Sequence, residues 1–237
     1  MRFSSFIYNN NSSLGLVNKE NTKIIDIYQL SKKKLPNNMF DYLQEFEKNN
    51  NLLNIYLSNK INKDFLFDLD EVSILSPLPN PNSFRDAYAF RQHVEAGRRN
   101  RGLDMIPEYD EFPVFYFSNH NSICGPGEIS LQSKHLDKLD FELEIGILIS
   151  KEGNNIKSKD AHKYIAGLMI MNDWSARDMQ FKEMKLNLGP AKGKDFATSI
   201  GPYLVTIDEL EDRYIKKDCG FTFNLEMKAY VNNVLIS

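Results

Sequence analysis

Four carboxylates and one histidine stand in three short segments of the chain, where they could form a cation site beside a general base. Asp86 precedes His93, Glu142 and Glu144 stand two residues apart, and Asp173 lies in the string Asn-Asp-Trp-Ser-Ala-Arg-Asp at 172–178. Mg²⁺ and Ca²⁺ take oxygen ligands, mostly carboxylates and waters, so this set suits them better than Zn²⁺.

The segment with Asp86 and His93 predicts a helix from Ser83 to about Arg99. Asp86, Phe90 and His93 recur at i, i+4 and i+7, which would place the first and last on one face roughly 10 Å apart. The alternative is an aspartate that favours the dipole near a helix start, plus a surface histidine. Taken alone, these residues favour the alternative.

Residues 139–147 alternate in type and predict a strand with Glu142 and Glu144 on one face, about 6.5–7 Å apart. The solvated face of an antiparallel sheet is the alternative. Against it, the same face continues through Gly146 and Leu148, and two like charges in a buried strand raise each other's pKa unless a cation neutralises them. The spacing therefore favours a metal site. The other face is expected to be filled by Phe141, Leu143, Ile145 and Ile147.

The third segment predicts a strand that ends at Met171 and turns at Asn172 into a helix. Asp173, Arg177 and Gln180 would then share one helix face. An Asp173–Arg177 ion pair worth a few tenths of a kcal/mol is one interpretation. In the other, Asp173 holds a metal while Arg177 and Gln180 donate to an oxyanion.

The stretch Gly-Pro-Ala-Lys-Gly-Lys-Asp-Phe at 189–196 is not a phosphate loop, because it has three residues between its glycines and Asp195 after the second lysine. Lys194 remains a candidate for binding an enolate or carboxylate as a compact point charge. Cys124 is interpreted as an inert structural thiol.

The whole chain has an ordinary globular composition, with 42% hydrophobic and 26% charged residues among 237. A net charge of -3 argues against nucleic acid or an acidic membrane as the partner. Two cysteines make no disulfide framework, which predicts a reducing, cytoplasmic location. We find neither a signal peptide at 1–6 nor an apolar run long enough to span a membrane.

The elements predict a mainly β fold with α-helices, in two parts. Three prolines on alternate positions make 76–82 stiff and extended, so it should link an α+β domain at 1–75 to a main domain at 83–237. The expected elements are strands 3–8, 14–17 and 23–28, a helix at 39–46, buried strands 139–149 and 165–171, and a strand 221–231 that leads into an Asn-Asn hairpin at 232–233.

The strings Phe-Glu-Leu-Glu at 141–144, Met-Asn-Asp-Trp-Ser-Ala-Arg-Asp-Met-Gln at 171–180 and Leu-Gly-Pro-Ala-Lys-Gly-Lys at 188–194 closely resemble the fumarylacetoacetate hydrolase family. The resemblance covers about 83–231 and implies that family's mixed β-sandwich or roll. It also implies a homodimer, a role in aromatic amino acid catabolism, and Mg²⁺, Ca²⁺ or Mn²⁺ as the cofactor.

By position, the resemblance implies three groups of functional residues. The metal ligands are Asp86, Glu142, Glu144 and Asp173; the catalytic residues are His93, Arg177, Gln180 and Lys194; the substrate contacts are Tyr88, Arg101 and Thr198. Arg101 stands one residue closer to the histidine than in the family. Met184 stands where some members carry a substrate tyrosine.

The implied reaction is hydrolysis of a carbon–carbon bond in a 1,3-diketo acid, with water activated by His93 and the leaving enolate held by the metal, Lys194 and Gln180. Decarboxylases, tautomerases and isomerases of 2-oxo acids share the carboxylates, and His93 at its spacing favours hydrolysis. Family members continue beyond the position of Ser237 with strands that carry a Gly-Thr segment and a glutamate that orients the histidine. We therefore expect an incomplete domain, for which a catalytically inactive fragment is the further alternative.

Overall fold

The computed structural model describes residues 1–218 and 220–237; Cys219, one of the two cysteines, lies outside them. The strands are β1 (Arg2–Tyr8), β2 (Asn11–Val17), β3 (Lys23–Asp26), β4 (Leu66–Asp68), β5 (Ser73–Ile74), β6 (Arg85–Asp86), β7 (Tyr116–Phe117), β8 (Ile123–Cys124), β9 (Leu139–Ile149), β10 (Ile165–Ala176), β11 (Thr198–Ile200), β12 (Leu204–Thr206), β13 (Tyr214–Lys217), β14 (Gly220–Phe223), β15 (Tyr230–Val231) and β16 (Val234–Leu235). The α-helices are α1 (Ile27–Leu30), α2 (Met39–Gln44), α3 (Phe46–Leu57), α4 (Arg91–Arg99), α5 (Glu108–Glu111), α6 (Ser133–Leu136) and α7 (Arg177–Met184).

One large mixed sheet dominates the described residues, which confirms a mainly β fold with α-helices. Its strands follow the order β4-β3-β2-β1-β12-β10-β11-β8, with β5 on β1 and β9 on β10. The pairs are antiparallel except for β11 with β8. Because β1 pairs with β12, the sheet continues across the predicted linker at 76–82. The division into two domains there stays a prediction.

The largest apolar core lies where the first strands meet helices α2 and α3. Phe3, Tyr42 and Leu53 are fully buried in it, and Tyr42 packs its ring 5.2 Å from that of Phe3. Met171 of β10 belongs to the same core. The core therefore fixes the position of β10, which carries part of the candidate site.

Two of the predicted elements, the strand at 221–231 and the helix at 39–46, are wrong in extent. The strand expected at 221–231 is two short strands, β14 and β15, separated by residues without regular pairing. The helix expected at 39–46 ends at Gln44, and a longer helix follows it. The Asn-Asn hairpin is confirmed, because β15 pairs with β16 while Asn232 and Asn233 have φ values of 50° and 65°. A type I′ turn needs such left-handed backbone at both central positions.

One face of β9 is apolar and open near its end, which corrects the expectation that this strand is buried; β10 is mostly buried, as expected. Ile147 and Ile149 are each 55% exposed, and Ile170 of the neighbouring strand is 63% exposed. The opposite face is covered, since Gly146 and Leu148 are buried as expected. None of the helices in the described part of the chain has the length and apolar character that a bilayer span requires.

Gly167 marks a close approach between β10 and β12, and its replacement tests the sheet. A Cβ at this position would lie 2.3 Å from the backbone oxygen of Val205, so one strand must shift. We expect Gly167→Ala to lower the free energy of unfolding by about 1–3 kcal/mol in urea titration. The matched control is Gly97→Ala in α4, where a Cβ meets nothing within 4 Å and should stabilise the helix slightly. Equal stability of the two variants would contradict this packing.

Candidate metal and active site

The pairing of β9 with β10 brings three acidic side chains to one covered face of the sheet. Asp173 lies directly opposite Glu142, and Glu144 lies opposite Met171, two residues away along each strand. The prediction of a helix from Asn172 is wrong, because β10 continues to Ala176. The ladder to β9 pairs every residue up to that point, and this pairing outweighs the helix-like spacing of the polar residues.

Asp86 reaches the same place from a separate two-stranded sheet. It lies in β6, opposite Tyr116 in β7, so the predicted helix from Ser83 is wrong and α4 begins only at Arg91. Asp86 and His93 therefore do not share a helix face. Carboxylate oxygens of Asp86, Glu144 and Asp173 lie within 4.8 Å of one another, and this trio is called the carboxylate cluster below.

The carboxylate cluster fits a divalent cation on two observations. Asp86 is buried, yet its Oδ2 has no hydrogen-bond partner among the described residues. Glu144 is the second observation: the negative charges of Asp86, Asp173 and Glu142 lie close to it, and Lys194 offsets them only in part. Buried carboxylate oxygens without donors are costly unless something neutralises them, and hard cations take such oxygen ligands.

Burial is the main cause that raises the pKa values of these carboxylates, and their mutual repulsion adds to it. Burial and the neighbouring charges of Asp86, Asp173 and Glu142 raise the pKa of Glu144 to about 8. Burial raises the pKa of Asp173 to about 6 against the attraction of Lys194, and it also raises the pKa of Asp86. Burial would raise the pKa of Glu142 too, but Lys194 and Arg177 together lower it below its usual value. A proton or a cation is therefore needed near Glu144.

Lys194 and Arg177 supply the positive charge beside the cluster. The Lys194 side chain is 3% exposed, and its Nζ donates to Glu142 at 2.8 Å and to Asp173 at 2.5 Å. Arg177 does not pair with Asp173 as a helical ion pair; it binds Asp140 at 2.7 Å and Glu142 at 2.8 Å. These contacts make Glu142 a partner of cations rather than a member of the carboxylate cluster.

Two hydroxyl groups border the cluster, and one of them is new. Thr198 lies opposite Asp173 on β11, fully buried, and its Oγ1 has no partner among the described residues. The Tyr116 hydroxyl donates to Asp173 at 3.4 Å. Burial and the nearby Asp173 and Asp86 charges raise the pKa of Tyr116 far above its usual range, so the hydroxyl stays a donor. The sequence offered one signal for Tyr116, which stands inside the apolar run 113–117. A tyrosine buried in such a run needs a hydrogen-bond partner for its hydroxyl.

The structure brings together some of the predicted residues and leaves others outside. Gln180 accepts from Arg177 at 3.0 Å on α7 and so lies beside the cluster. His93 is exposed on α4, and no hydrogen bond joins its side chain to the cluster among the described residues. Tyr88 is half exposed and stacks on Tyr109, while Arg101 is exposed and donates to the Gly97 carbonyl.

A large mixed sheet with a cluster of carboxylates beside a buried lysine is an arrangement suited to holding a divalent cation. The model of the family described as "Fumarylacetoacetate (FAA) hydrolase C-terminal" matches residues 82–237. The chain belongs to the fumarylacetoacetate hydrolase family.

The chain is similar to several curated relatives. It is 49% identical over 171 residues to a fumarylacetoacetase of Oryza sativa subsp. japonica, covering 64% of this chain and 39% of that protein. It is 28% identical over 153 residues to an oxaloacetate tautomerase of Bacillus subtilis (strain 168), covering 62% and 48%. The chain thus spans less than half the length of these relatives.

Among solved structures, a maleylpyruvate hydrolase from Sphingobium sp. SYK-6, in complex with manganese (II) ion and pyruvate, matches with a TM-score of 0.61 at 20% identity. The match covers 90% of this chain and 70% of that one. It shows that the two proteins share a fold.

Proposed function

We propose that the protein is a divalent-metal-dependent hydrolase that cleaves a carbon–carbon bond in a 1,3-diketo acid such as fumarylacetoacetate or an acylpyruvate. The observation that carries the proposal is the carboxylate cluster of Asp86, Glu144 and Asp173 with the buried Lys194 ammonium beside it. The rice relative, named as a fumarylacetoacetase, supports the same substrate class.

The carboxylate cluster would hold Mg²⁺, Ca²⁺ or Mn²⁺, with Glu142 as a further ligand if Lys194 moves off it. The similar maleylpyruvate hydrolase is in complex with manganese (II) ion and pyruvate, which supports a cation that binds a 2-oxo acid in this protein too. When bound, the cation supplies Lewis-acid polarisation and a template for two neighbouring oxygens of the substrate.

The side chains beside the cluster would stabilise the negative charge of the departing enolate. Lys194 offers a compact charge from a site that is nearly closed to water, where such an interaction is stronger than in solution. Gln180 and Arg177 add donors from α7. Thr198 would contact the substrate from β11, and Tyr88 and Arg101 would contact its far end.

Hydrolysis also needs a base, and we propose His93 for it. The imidazole would take a proton from the water that attacks the carbonyl. His93 is exposed on α4, so this role requires the α4 segment to close on the cluster when substrate binds. Catalytic contacts often tighten only in the substrate complex.

A tautomerase, decarboxylase or isomerase of 2-oxo acids is the second candidate. The observation that favours it is the absence, within 1–218 and 220–237, of any hydrogen bond between the His93 side chain and the cluster. Enolisation needs the polarising cation and a proton acceptor, but it needs no attacking water. The oxaloacetate tautomerase relative supports this candidate.

The two candidates are separated by product analysis. The protein is incubated with Mg²⁺ or Mn²⁺ and with fumarylacetoacetate, an acylpyruvate or oxaloacetate, and products are followed by NMR. The hydrolase proposal expects metal-dependent release of two acids from a diketo acid. Enolisation of oxaloacetate without cleavage of either diketo acid would replace the proposal with the second candidate.

The proposal includes a homodimer, which the resemblance implies, and a cytoplasmic location, which the cysteine content predicts. The homodimer is the part that the structure supports with an observation. Its support is the open apolar face formed by Ile147, Ile149 and Ile170. A second copy could cover this face, since apolar patches on a protein surface mark interaction sites. Sedimentation velocity tests the assembly, and a monomer at micromolar concentration would contradict it.

A further inference from the structure

A single carboxylate holds the loop that carries Lys194. Glu183 of α7 accepts from the backbone N–H of Ala191 at 2.8 Å and of Gly193 at 3.1 Å through Oε1, and from that of Lys192 at 2.8 Å through Oε2. Hydrogen bonds to an ionised carboxylate are about twice as strong as neutral ones. Three successive amides directed at one carboxylate leave this part of the loop little freedom to rotate.

Two further observations show that the loop packs directly on β10 and α7. The Gly193 carbonyl accepts from the N–H of Ala176, the last residue of β10, at 2.8 Å. A Cβ on Gly193 would lie 2.8 Å from the backbone nitrogen of Gln180. The absence of a side chain is therefore what lets the loop lie directly on α7.

Lys194 is the next residue along the chain. Its ammonium is nearly fully buried, and it reaches Glu142 and Asp173 only from this backbone position. A buried charge is costly unless its partners are in place. The contacts that fix residues 191–193 therefore determine whether the ammonium meets the carboxylates.

We propose that Glu183 is a positioning residue that sets Lys194 against the carboxylate cluster. Glu183 acts through the loop backbone and contacts neither substrate nor cation. The effect of Glu183 on catalysis rests on the proposed function. Its effect on the position of Lys194 can be tested without any turnover.

The first test measures how exposed Lys194 becomes when the carboxylate is changed. Trace acetylation with acetic anhydride is quantified by mass spectrometry. In the parent it should modify Lys194 far less than Lys182, which is exposed on α7 beside Glu183. Glu183→Gln keeps the side-chain volume but directs an NH₂ group at a backbone donor. It should increase Lys194 modification about tenfold, since the loop opens locally. The control Asp178→Asn removes a carboxylate paired only with Lys182 and should leave Lys194 protected.

The second test uses turnover of a diketo acid. Glu183→Gln should lower kcat by about 10- to 100-fold, because a misplaced catalytic group loses that much. The apparent Kd for Mg²⁺ should not rise, because none of the cluster ligands is changed and a displaced ammonium no longer competes for Asp173 and Glu142. A purely structural role would lower Tm and leave relative Lys194 labelling unchanged.

Parent-like labelling of Lys194 in a folded Glu183→Gln variant would overturn the proposal. If that variant does not fold, Gly193→Ala disturbs the same loop from its α7 side, and the same rise in Lys194 labelling is expected. Unchanged labelling there would count equally against it. Lys194 labelling that rises in the variant, together with a parent protein that cleaves no diketo acid, would refute the proposed function and leave the positioning role standing.

Discussion

Millimolar Mg²⁺ or Mn²⁺ should raise the Tm of the chelator-treated protein by roughly 5–10 °C, and Glu144→Gln should remove most of this rise. A ligand present at 100 times its Kd stabilises the folded state by about 2.7 kcal/mol. Each kcal/mol shifts Tm by roughly 2–4 °C in a protein of this size. Glu144 is the test position because its carboxylate lies beside those of Asp86 and Asp173 and makes no salt bridge within residues 1–218 and 220–237. Differential scanning calorimetry measures both proteins.

The matched control is Glu128→Gln, since Glu128 is exposed and away from the cluster. This variant should keep the full metal response. A parent protein that shows no change in Tm at millimolar metal would contradict a cation site at the carboxylate cluster.

The metal response should also grow as pH rises from 6 to 8. Without metal, the raised pKa of Glu144, about 8, means that the folded chain holds a proton that the unfolded chain has lost above its ordinary value of 4.5. The metal-free protein therefore loses stability as pH rises through this interval. A cation competes with that proton and binds better when the carboxylate is ionised. Glu144→Gln should flatten the pH dependence of the metal-free Tm.

His93→Ala should lower the rate of diketo-acid cleavage by roughly 10²–10⁴-fold, the usual contribution of a general base. The same change should leave metal-dependent enolisation of oxaloacetate within a few-fold of the parent, because that reaction needs no attacking water. Lys194→Met should lower both activities, since both pass through an enolate that the ammonium stabilises. Steady-state kinetics on the two substrates measures the difference.

His120→Ala serves as the matched histidine control, because His120 lies in a short 3₁₀ turn and makes no side-chain hydrogen bond to the cluster among the described residues. Cleavage within a few-fold of the parent in His93→Ala would assign the base to another residue. Equal loss of both activities would place His93 in the shared enolisation step.

The candidate site was predictable from sequence where local alternation decides the geometry. Glu142 and Glu144 share a face because strand side chains alternate, and the structure keeps β9 regular through both. The string around Asp173 is specific enough to mark that residue as part of a site. Its strand conformation was missed because the spacing to Arg177 and Gln180 imitates a helix, whereas pairing with β9 holds the chain extended.

The positions of the other site residues depend on long-range contacts, which the periodicity of residue types along the chain does not reveal. Asp86 enters the cluster through a two-residue pairing with Tyr116, thirty positions away, and no local pattern distinguishes that pairing from a helix start. The carboxylate partners of Arg177 are also distant in sequence, since Asp140 on the neighbouring strand lies 37 positions away. Long-range register decides such positions, and it is set by the packing of the whole sheet.

The pairing of β1 with β12 determines when the large sheet can close during translation. Phe3 pairs with Leu204, so the first residues of β1 have no partner on that edge until about 200 further residues have been made, whereas β5 pairs with Phe6 and Ile7 much earlier. At 5–20 residues per second, that interval is roughly 10–40 s. β1 and β2 can form their hairpin early, because their contacts are local. The centre of the sheet closes late, and for that time the nascent chain offers a bare strand edge on which chaperones or other strands can act.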